Sequence, residues 1–304
     1  MTDLPAIDCG DQQALPMALH NALSEWGFAR LVNLEEGLGL DNALLAKLNE
    51  YSNAFFTGSD AIKQRCAYRS ATENFGYQGM GQENLDPTAP ADLKQTFTMR
   101  NVLHSPLAAE RWPNAEFQAL MEQAYARFLH AGHQLQRALA QALDQPQEFF
   151  ADAHNGECVS LRLLHYPSVA SAEPNQLGAG AHTDYGMLTL LLQDDVGGLQ
   201  VLNKNTSEWL DVPADPSTLI INSGDLLERW TNGLYRSTLH RVQPNRANRA
   251  RLSIAMFLDP DADTQVNVLE SCTSADNPAR FPGITAGEHI QQMLNASHKD
   301  RYTS

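Results

Sequence analysis

His182-Thr183-Asp184 and the isolated His240 have the residue types and spacing of a metal site. Two imidazole nitrogens and one carboxylate oxygen can occupy one triangular face of an octahedral ion and leave the opposite face open, which suits non-haem Fe(II) and O2 chemistry. Side chains at i and i+2 of an extended segment point to the same side, so His182 and Asp184 can grip one ion together. The third ligand must come from another strand or its edge, and the stretch between Asp184 and His240 has room for several strands. A second His-x-Asp, His298-Lys299-Asp300, has no histidine after it and reads as a solvated tail. His130 and His133 stand three apart on a helical pattern and could also touch one metal; with no third ligand evident, half-buried helix residues are the plainer reading.

Downstream of His240 lies the apolar run Arg251-Leu-Ser-Ile-Ala-Met-Phe-Leu258, which reads as a buried strand. Arg251, Ser253, Ala255 and Phe257 then share one face. An arginine fork pairs bidentately with a carboxylate, and a serine hydroxyl adds a second donor. Arg251 and Ser253 are therefore a candidate carboxylate-binding pair; the alternative is an arginine held in a structural salt bridge. In the preceding run Leu161-Arg-Leu-Leu-His-Tyr-Pro167, Arg162, Leu164 and Tyr166 fall on one face and Leu163 and His165 on the other. An arginine facing a barrel interior needs a partner. A substrate carboxylate and an internal carboxylate are both open for Arg162.

These residues need a rigid frame. Helical patterning runs from Leu15 to about Leu48, interrupted by a strand-like piece, Phe28 to Val32. From Pro113 to Leu143, Phe117, Leu120, Met121, Tyr125, Phe128, Leu135 and Leu139 form an apolar stripe at helical spacing, predicting one long helix packed on a sheet. From Cys158 to Leu258 short β-rich runs alternate with turn signals such as Asp194-Asp-Val-Gly-Gly198 and Pro213-Ala-Asp-Pro216, which predicts a sandwich or barrel. Asn84 to Pro90 reads as a loop, and Pro260 to Pro282 as a return crossing into a C-terminal helix.

The ordered set Ala181-His-Thr-Asp-Tyr-Gly-Met-Leu-Thr-Leu190, Gly197-Gly-Leu-Gln-Val201, Asn222-Ser-Gly-Asp225, Ser237-Thr-Leu-His-Arg-Val242 and Arg251-Leu-Ser253 resembles the Fe(II)/2-oxoglutarate-dependent dioxygenase superfamily, within it the isopenicillin N synthase-like branch. Leu4-Pro-Ala-Ile-Asp8, Glu25 to Asn33, Asn74-Phe-Gly-Tyr77, Asp92 to Phe97 and Phe281 to Glu288 extend the likeness over nearly the whole chain. The resemblance implies a mainly β, α+β fold: a double-stranded β-helix (jelly-roll) core flanked by helices, with an N-terminal helical and mixed region over 1–110 and the jelly-roll region over 111–304 in one unit. It implies Fe(II) on His182, Asp184 and His240, with 2-oxoglutarate and O2 as co-substrates and ascorbate as a candidate reductant. Tyr166 matches the tyrosine before proline in plant-type relatives and would join Arg251 and Ser253 at the 2-oxoglutarate carboxylate; Leu164 stands where those relatives have asparagine. The implied activity couples decarboxylation of 2-oxoglutarate, to succinate and CO2, with oxidation of a small substrate, a carboxylate-bearing one being a candidate. Order along the chain puts Arg162, Tyr185, Met187, Tyr77 and Phe257 among the substrate candidates. Glu83, Phe97 and Met99 join them on the same ground.

Alternatives stay open. Oxidases and cyclases on this scaffold keep an Arg-x-Ser pair without consuming 2-oxoglutarate. Bacterial ethylene- and succinate-forming enzymes are also similar, around Ala181 to Gly186 and Gln193 to Leu199. A jelly-roll module that binds metal without turnover is the non-enzymatic alternative.

Composition is that of a soluble enzyme, with 43% hydrophobic and 19% charged residues. A net charge of −15 argues against nucleic acid and anionic membranes as partners, since both need a basic face. No protein partner is evident. The N-terminus has neither a basic start nor a long apolar run, so no signal peptide is expected. Cys9, Cys66, Cys158 and Cys272 are scattered without clip or redox spacing, as expected for reduced thiols in a cytoplasmic protein.

Overall fold

The structure, a computed structural model, describes residues 4–86 and 88–298. The C-terminal His-x-Asp falls outside it: Lys299 and Asp300 are beyond the described residues, and so is the His298 side chain.

In chain order the elements are β1 (Ala6–Asp8), α1 (Leu15–Glu25), β2 (Phe28–Val32), α2 (Leu34–Leu38), α3 (Asn42–Thr57), α4 (Asp60–Arg65), β3 (Gly76–Gln78) and β4 (Gln95–Arg100). Then follow α5 (Ala115–Ala142), β5 (Ser160–Tyr166), β6 (Ala179–His182), β7 (Leu188–Gln193), β8 (Leu199–Asn203) and β9 (Glu208–Asp211). The chain closes with β10 (Leu219–Ser223), α6 (Asp225–Trp230), β11 (His240–Val242), β12 (Arg251–Leu258), β13 (Gln265–Val266), β14 (Ile284–Thr285) and α7 (Ala286–His298). A large sheet runs β1-β2-β10-β7-β12-β5-β4-β3, and a small one runs β6-β11-β8-β9. Strands from before residue 110 complete both ends of the large sheet, so the two ends of the chain share one structure. This is the jelly-roll arrangement, an α+β fold with its helices on one face of the large sheet.

The pleat of β12 explains the architecture. Leu252, Ile254, Met256 and Leu258 point to the helix side and join its core. Ala255 and Phe257 point between the sheets, where they pack with Val201 and Val242 of the small sheet. A strand buried on both faces reads as a continuous apolar run, as this one does. On the helix side, α5 begins at Asn114, whose side chain accepts from Phe117 N at 2.8 Å and caps the first turn. Its apolar stripe packs over the large sheet. The approach is closest at Gly132, where a Cβ would lie 2.7 Å from Leu258 Cδ1.

Candidate metal centre and carboxylate site

Three side chains converge between the sheets. His182 ends β6 and stands opposite His240 of β11 in the ladder. Asp184 is not on that strand: β6 stops at His182, and Asp184 belongs to the turn that follows. The two side chains still turn to one side, with His182 Nε2 and Asp184 Oδ1 3.8 Å apart. The turn is fixed from outside, because Asp225 N donates to Asp184 O at 2.8 Å and Leu226 N donates to Gly186 O at 3.0 Å. The carboxylate is aimed by two neighbours in register across β7 and β10: Thr189 Oγ1 and Asn222 Nδ2, the latter at 2.8 Å, both donate to Asp184 Oδ2. Oδ1 is left facing His182 Nε2 at 3.8 Å and His240 Nε2 at 3.7 Å.

The tautomers follow from the other ring nitrogens. His182 Nδ1 meets Gly180 O at 2.7 Å and His240 Nδ1 meets Thr238 O at 3.1 Å. A carbonyl only accepts, so Nδ1 carries the proton and Nε2 keeps its lone pair. Phe28 locks His240 edge-on, with ring centroids 5.4 Å apart. Burial, and then the neighbouring His240, hold His182 well below the usual imidazole range. Burial works against the Asp184 carboxylate, but His240, His182, Asn222 and Thr189 outweigh it and keep the group below its ordinary value. One ligand atom from each of the three lies within 4.8 Å of the others. Among the described residues no other trio of this kind occurs. Two neutral nitrogen donors and one ionised oxygen, converging with their other polar atoms already satisfied, fit a divalent first-row cation.

Deeper in the barrel, Arg251 is 1% exposed. It stands opposite Tyr166, and Ser253 stands opposite Leu164 and Gln193. Arg251 Nη1 donates to Ser253 Oγ at 3.2 Å and Nη2 to Gln193 Oε1 at 3.3 Å. Its guanidinium lies 4.8 Å from the Tyr166 ring centroid, and Nε is buried without a partner. Among the described residues no carboxylate pairs with it. Of the two readings open in the sequence, the structural salt bridge is thus not what the fold contains. A buried guanidinium held only by neutral acceptors and a ring fits a dianion's carboxylate.

Arg162 faces the same interior and has an internal partner. Nε donates to Thr98 Oγ1 at 3.1 Å, and Nη2 pairs with Glu83. Burial opposes the charge on Glu83, but Arg162 and Lys94 hold its carboxyl below the ordinary range. Phe257 is half-buried on the same inner face, opposite Thr189, and Tyr185 is half-buried directly after Asp184. The expectation for Tyr77 and Met187 is corrected. Both belong to the helix-side core, with Tyr77 against Phe55 and Met187 beside Gln136 of α5. Phe97 and Met99 lie in that core too, because β4 turns its odd positions away from the interior. His133 is used by the backbone, Nε2 meeting His154 O at 3.1 Å, while His130 is exposed. Sequence reasoning missed Thr189, Asn222 and Gln193 as supporting residues. The available signal was a polar side chain inside apolar strands, Asn222 in Leu-Ile-Ile-Asn-Ser above all.

A jelly roll with this trio and a buried guanidinium that no carboxylate pairs defines a class: enzymes that pair a mononuclear non-haem metal with an acidic co-substrate. The comparisons narrow it. The profile described as the 2OG-Fe(II) oxygenase superfamily matches residues 157–260, and one described as the non-haem dioxygenase in morphine synthesis N-terminal matches residues 2–116. A proline hydroxylase of Petromyces alliaceus is 32% identical over 94% of this chain and 94% of its own length. A homoarginine-6-hydroxylase of Glycine max is 33% identical over 90% of this chain and 86% of its own. Among solved structures, a full-length Neurospora crassa protein in complex with alpha-KG superposes with a TM-score of 0.85 at 27% identity, covering 97% of this chain and 96% of that one. The chain belongs to the Fe(II)/2-oxoglutarate-dependent oxygenase superfamily. It is an oxidoreductase that uses Fe(II), 2-oxoglutarate and O2 on a small-molecule substrate.

Proposed function

We propose that His182, Asp184 and His240 are the three protein ligands of Fe(II), that Arg251 and Ser253 with Tyr166 receive the distal carboxylate of 2-oxoglutarate, and that the substrate is a small carboxylate-bearing molecule of amino-acid type. The observation that carries the reading is Arg251, buried at 1% exposure on the inner face of β12 with only neutral polar partners. The relatives named as proline and homoarginine hydroxylases support the substrate class. So does Arg162, whose Nε and Nη2 are occupied by Thr98 and Glu83 and whose remaining nitrogen is left for a ligand in the barrel.

When bound, Fe(II) supplies the redox chemistry that couples 2-oxoglutarate decarboxylation to substrate oxidation. The chain supplies the rest. Thr189 and Asn222 hold one oxygen of Asp184, so the other points at the ligand position without reorganisation. Gly180 O and Thr238 O hold the Nδ1 protons, so neither histidine must change tautomer on loading. Arg251 and Ser253 orient the dicarboxylate, and Leu191, Ile220 and Phe257 keep water from the space between the sheets. Four unpaired thiols support a reducing, cytoplasmic setting. The shared large sheet supports treating 1–110 and 111–304 as regions of one unit.

His240→Ala tests the ligand set: the visible charge-transfer band of the anaerobic Fe(II)–2-oxoglutarate complex should disappear, and a band that survives overturns the assignment. Succinate formation with candidate amino acids tests the rest. Oxygen consumption without succinate would favour an oxidase on the same scaffold.

A further inference from the structure

A run of four charged side chains lies beside the metal centre, and beyond Arg162 the chemistry above makes no use of it. Arg162 pairs with Glu83, Glu83 with Lys94 at 3.5 Å, and Lys94 with Asp92. Asp92 and Lys94 are each 2% exposed. Burying such a pair rarely stabilises more than apolar packing would, so its presence calls for a use. The far end of the run supplies one. Among the described residues β6 is the edge strand of the small sheet, with β11 on its only paired side. An edge strand leaves backbone amides without partners. At Gly180 that amide donates instead to Asp92 Oδ1 at 2.9 Å. The carbonyl of the same residue accepts from His182 Nδ1 at 2.7 Å. Both polar backbone atoms of Gly180 are thus committed, one to the ion pair and one to the histidine.

We infer that Asp92, held by Lys94, is a positioning residue that presets His182 for its metal by fixing the backbone at Gly180. The inference rests on the reading of His182 as a ligand. Three details specify the role. Asp92 Oδ2 is occupied by Lys94 and by Leu85 N at 3.2 Å, so Oδ1 is held toward β6. Gly180 itself is required, because a Cβ there would lie 2.9 Å from both Cβ and N of Asp86 and would lift the loop off the strand. Leu93 N donates to Leu177 O at 2.9 Å, and Gln176 Nε2 to Ala91 O at 3.0 Å, so the loop is tied to the approach to β6 on either side of Asp92. A ligand histidine held through its second nitrogen is only as fixed as the carbonyl it donates to.

The test is a titration of the full-length, metal-free protein with Co(II), read by its visible d–d absorption. Asp92→Ala should weaken Co(II) binding by about 10–100-fold and alter the band shape, while the fold reported by near-ultraviolet circular dichroism persists. Asp92→Asn combined with Lys94→Gln removes both charges and keeps an acceptor for the Gly180 amide at the expense of the Leu85 N contact, and should bind Co(II) more tightly than Asp92→Ala. A double variant as weak as Asp92→Ala overturns the hydrogen-bond route. His182→Ala is the control on the underlying reading. If it binds Co(II) like the parent, the ligand assignment fails and the inference with it. If His182→Ala loses Co(II) while Asp92→Ala keeps parental affinity and band shape, only the positioning role is overturned. Should Asp92→Ala not fold, amide exchange in the metal-free parent decides. Protection of the Gly180 amide like that of paired β11 amides supports the inference, and exchange at a free-edge rate overturns it.

Discussion

Arg251 shows how one residue can reserve a place for a ligand. Its hydroxyl and amide neighbours satisfy direction but not charge, and Nε is buried without a partner. Arg251→Lys keeps the charge and loses the planar fork. It should raise the apparent KM for 2-oxoglutarate by roughly 10–150-fold, the equivalent of about 1.5–3 kcal/mol for a hydrogen bond to a charged group, with metal affinity little changed. Asn222→Ala should do the converse. It frees Asp184 Oδ2 from one of its two side-chain donors and should weaken metal binding by about 10–100-fold, measured by titration, while the KM for 2-oxoglutarate moves little. Arg162→Ala leaves Glu83 with Lys94 alone. With both side chains about a fifth exposed, the expected loss is about 1–3 kcal/mol in urea unfolding, below the cost of breaking a fully buried pair. Ligand types and their order were legible in the sequence because metal coordination restricts residue identity. The partner of Arg162 was not, since Glu83 stands far upstream in a loop and nothing local points it inward.

At the scale of elements, α5 was legible from its 3.6-residue period and β12 from a short apolar run buried on both faces. The end of β6 was not. That strand stops at His182 because Asp225, Gly224 and Leu226, some forty residues on, take up the backbone of the turn at Asp184, Met187 and Gly186. Parity placed Tyr166 and Arg162 on the right face of β5. On β3 and β4, order along the chain is a poorer guide than parity: Tyr77, Phe97 and Met99 face the helix-side core. The outer face of β5 carries a further consequence. His165 is 5% exposed, stacks on Phe56 at 5.0 Å, and has no partner for either ring nitrogen. Burial, with Lys63 adding to it, pushes its pKa down to about 4 from 6.5. The unfolded chain therefore takes up this proton first as pH falls. Stability present above pH 6.5 should be lost progressively between 6.5 and about 4, by at most about 3 kcal/mol from this group. His165→Phe should make urea midpoints less dependent on pH in that window; an unchanged slope would mean that His165 titrates alike in the folded and unfolded chain.

For the molecule as a whole, loading the site should act on stability through mass action. Metal with 2-oxoglutarate at about a hundred times Kd contributes about 2.7 kcal/mol, roughly 5 °C in Tm for a chain of this size. His182→Ala should lose that shift in a thermal scan while keeping a Tm near that of the metal-free parent. No helix among the described residues is long and apolar enough to cross a membrane. The large sheet also sets an order of events. Phe28 of β2 pairs with Asn222 of β10, and Ala29 with Ile221. The neighbour that closes the sheet beside Asn222 is therefore made almost two hundred residues before it. At about 5–20 residues per second, a nascent chain carries β2 for roughly 10–40 s before its partner leaves the ribosome. Through that interval Phe28, Ala29 and Leu31, all buried in the finished protein, have only β1 to pair with. The strand that later shelters the metal site is, during synthesis, a sticky segment that a holding chaperone or α1 must cover.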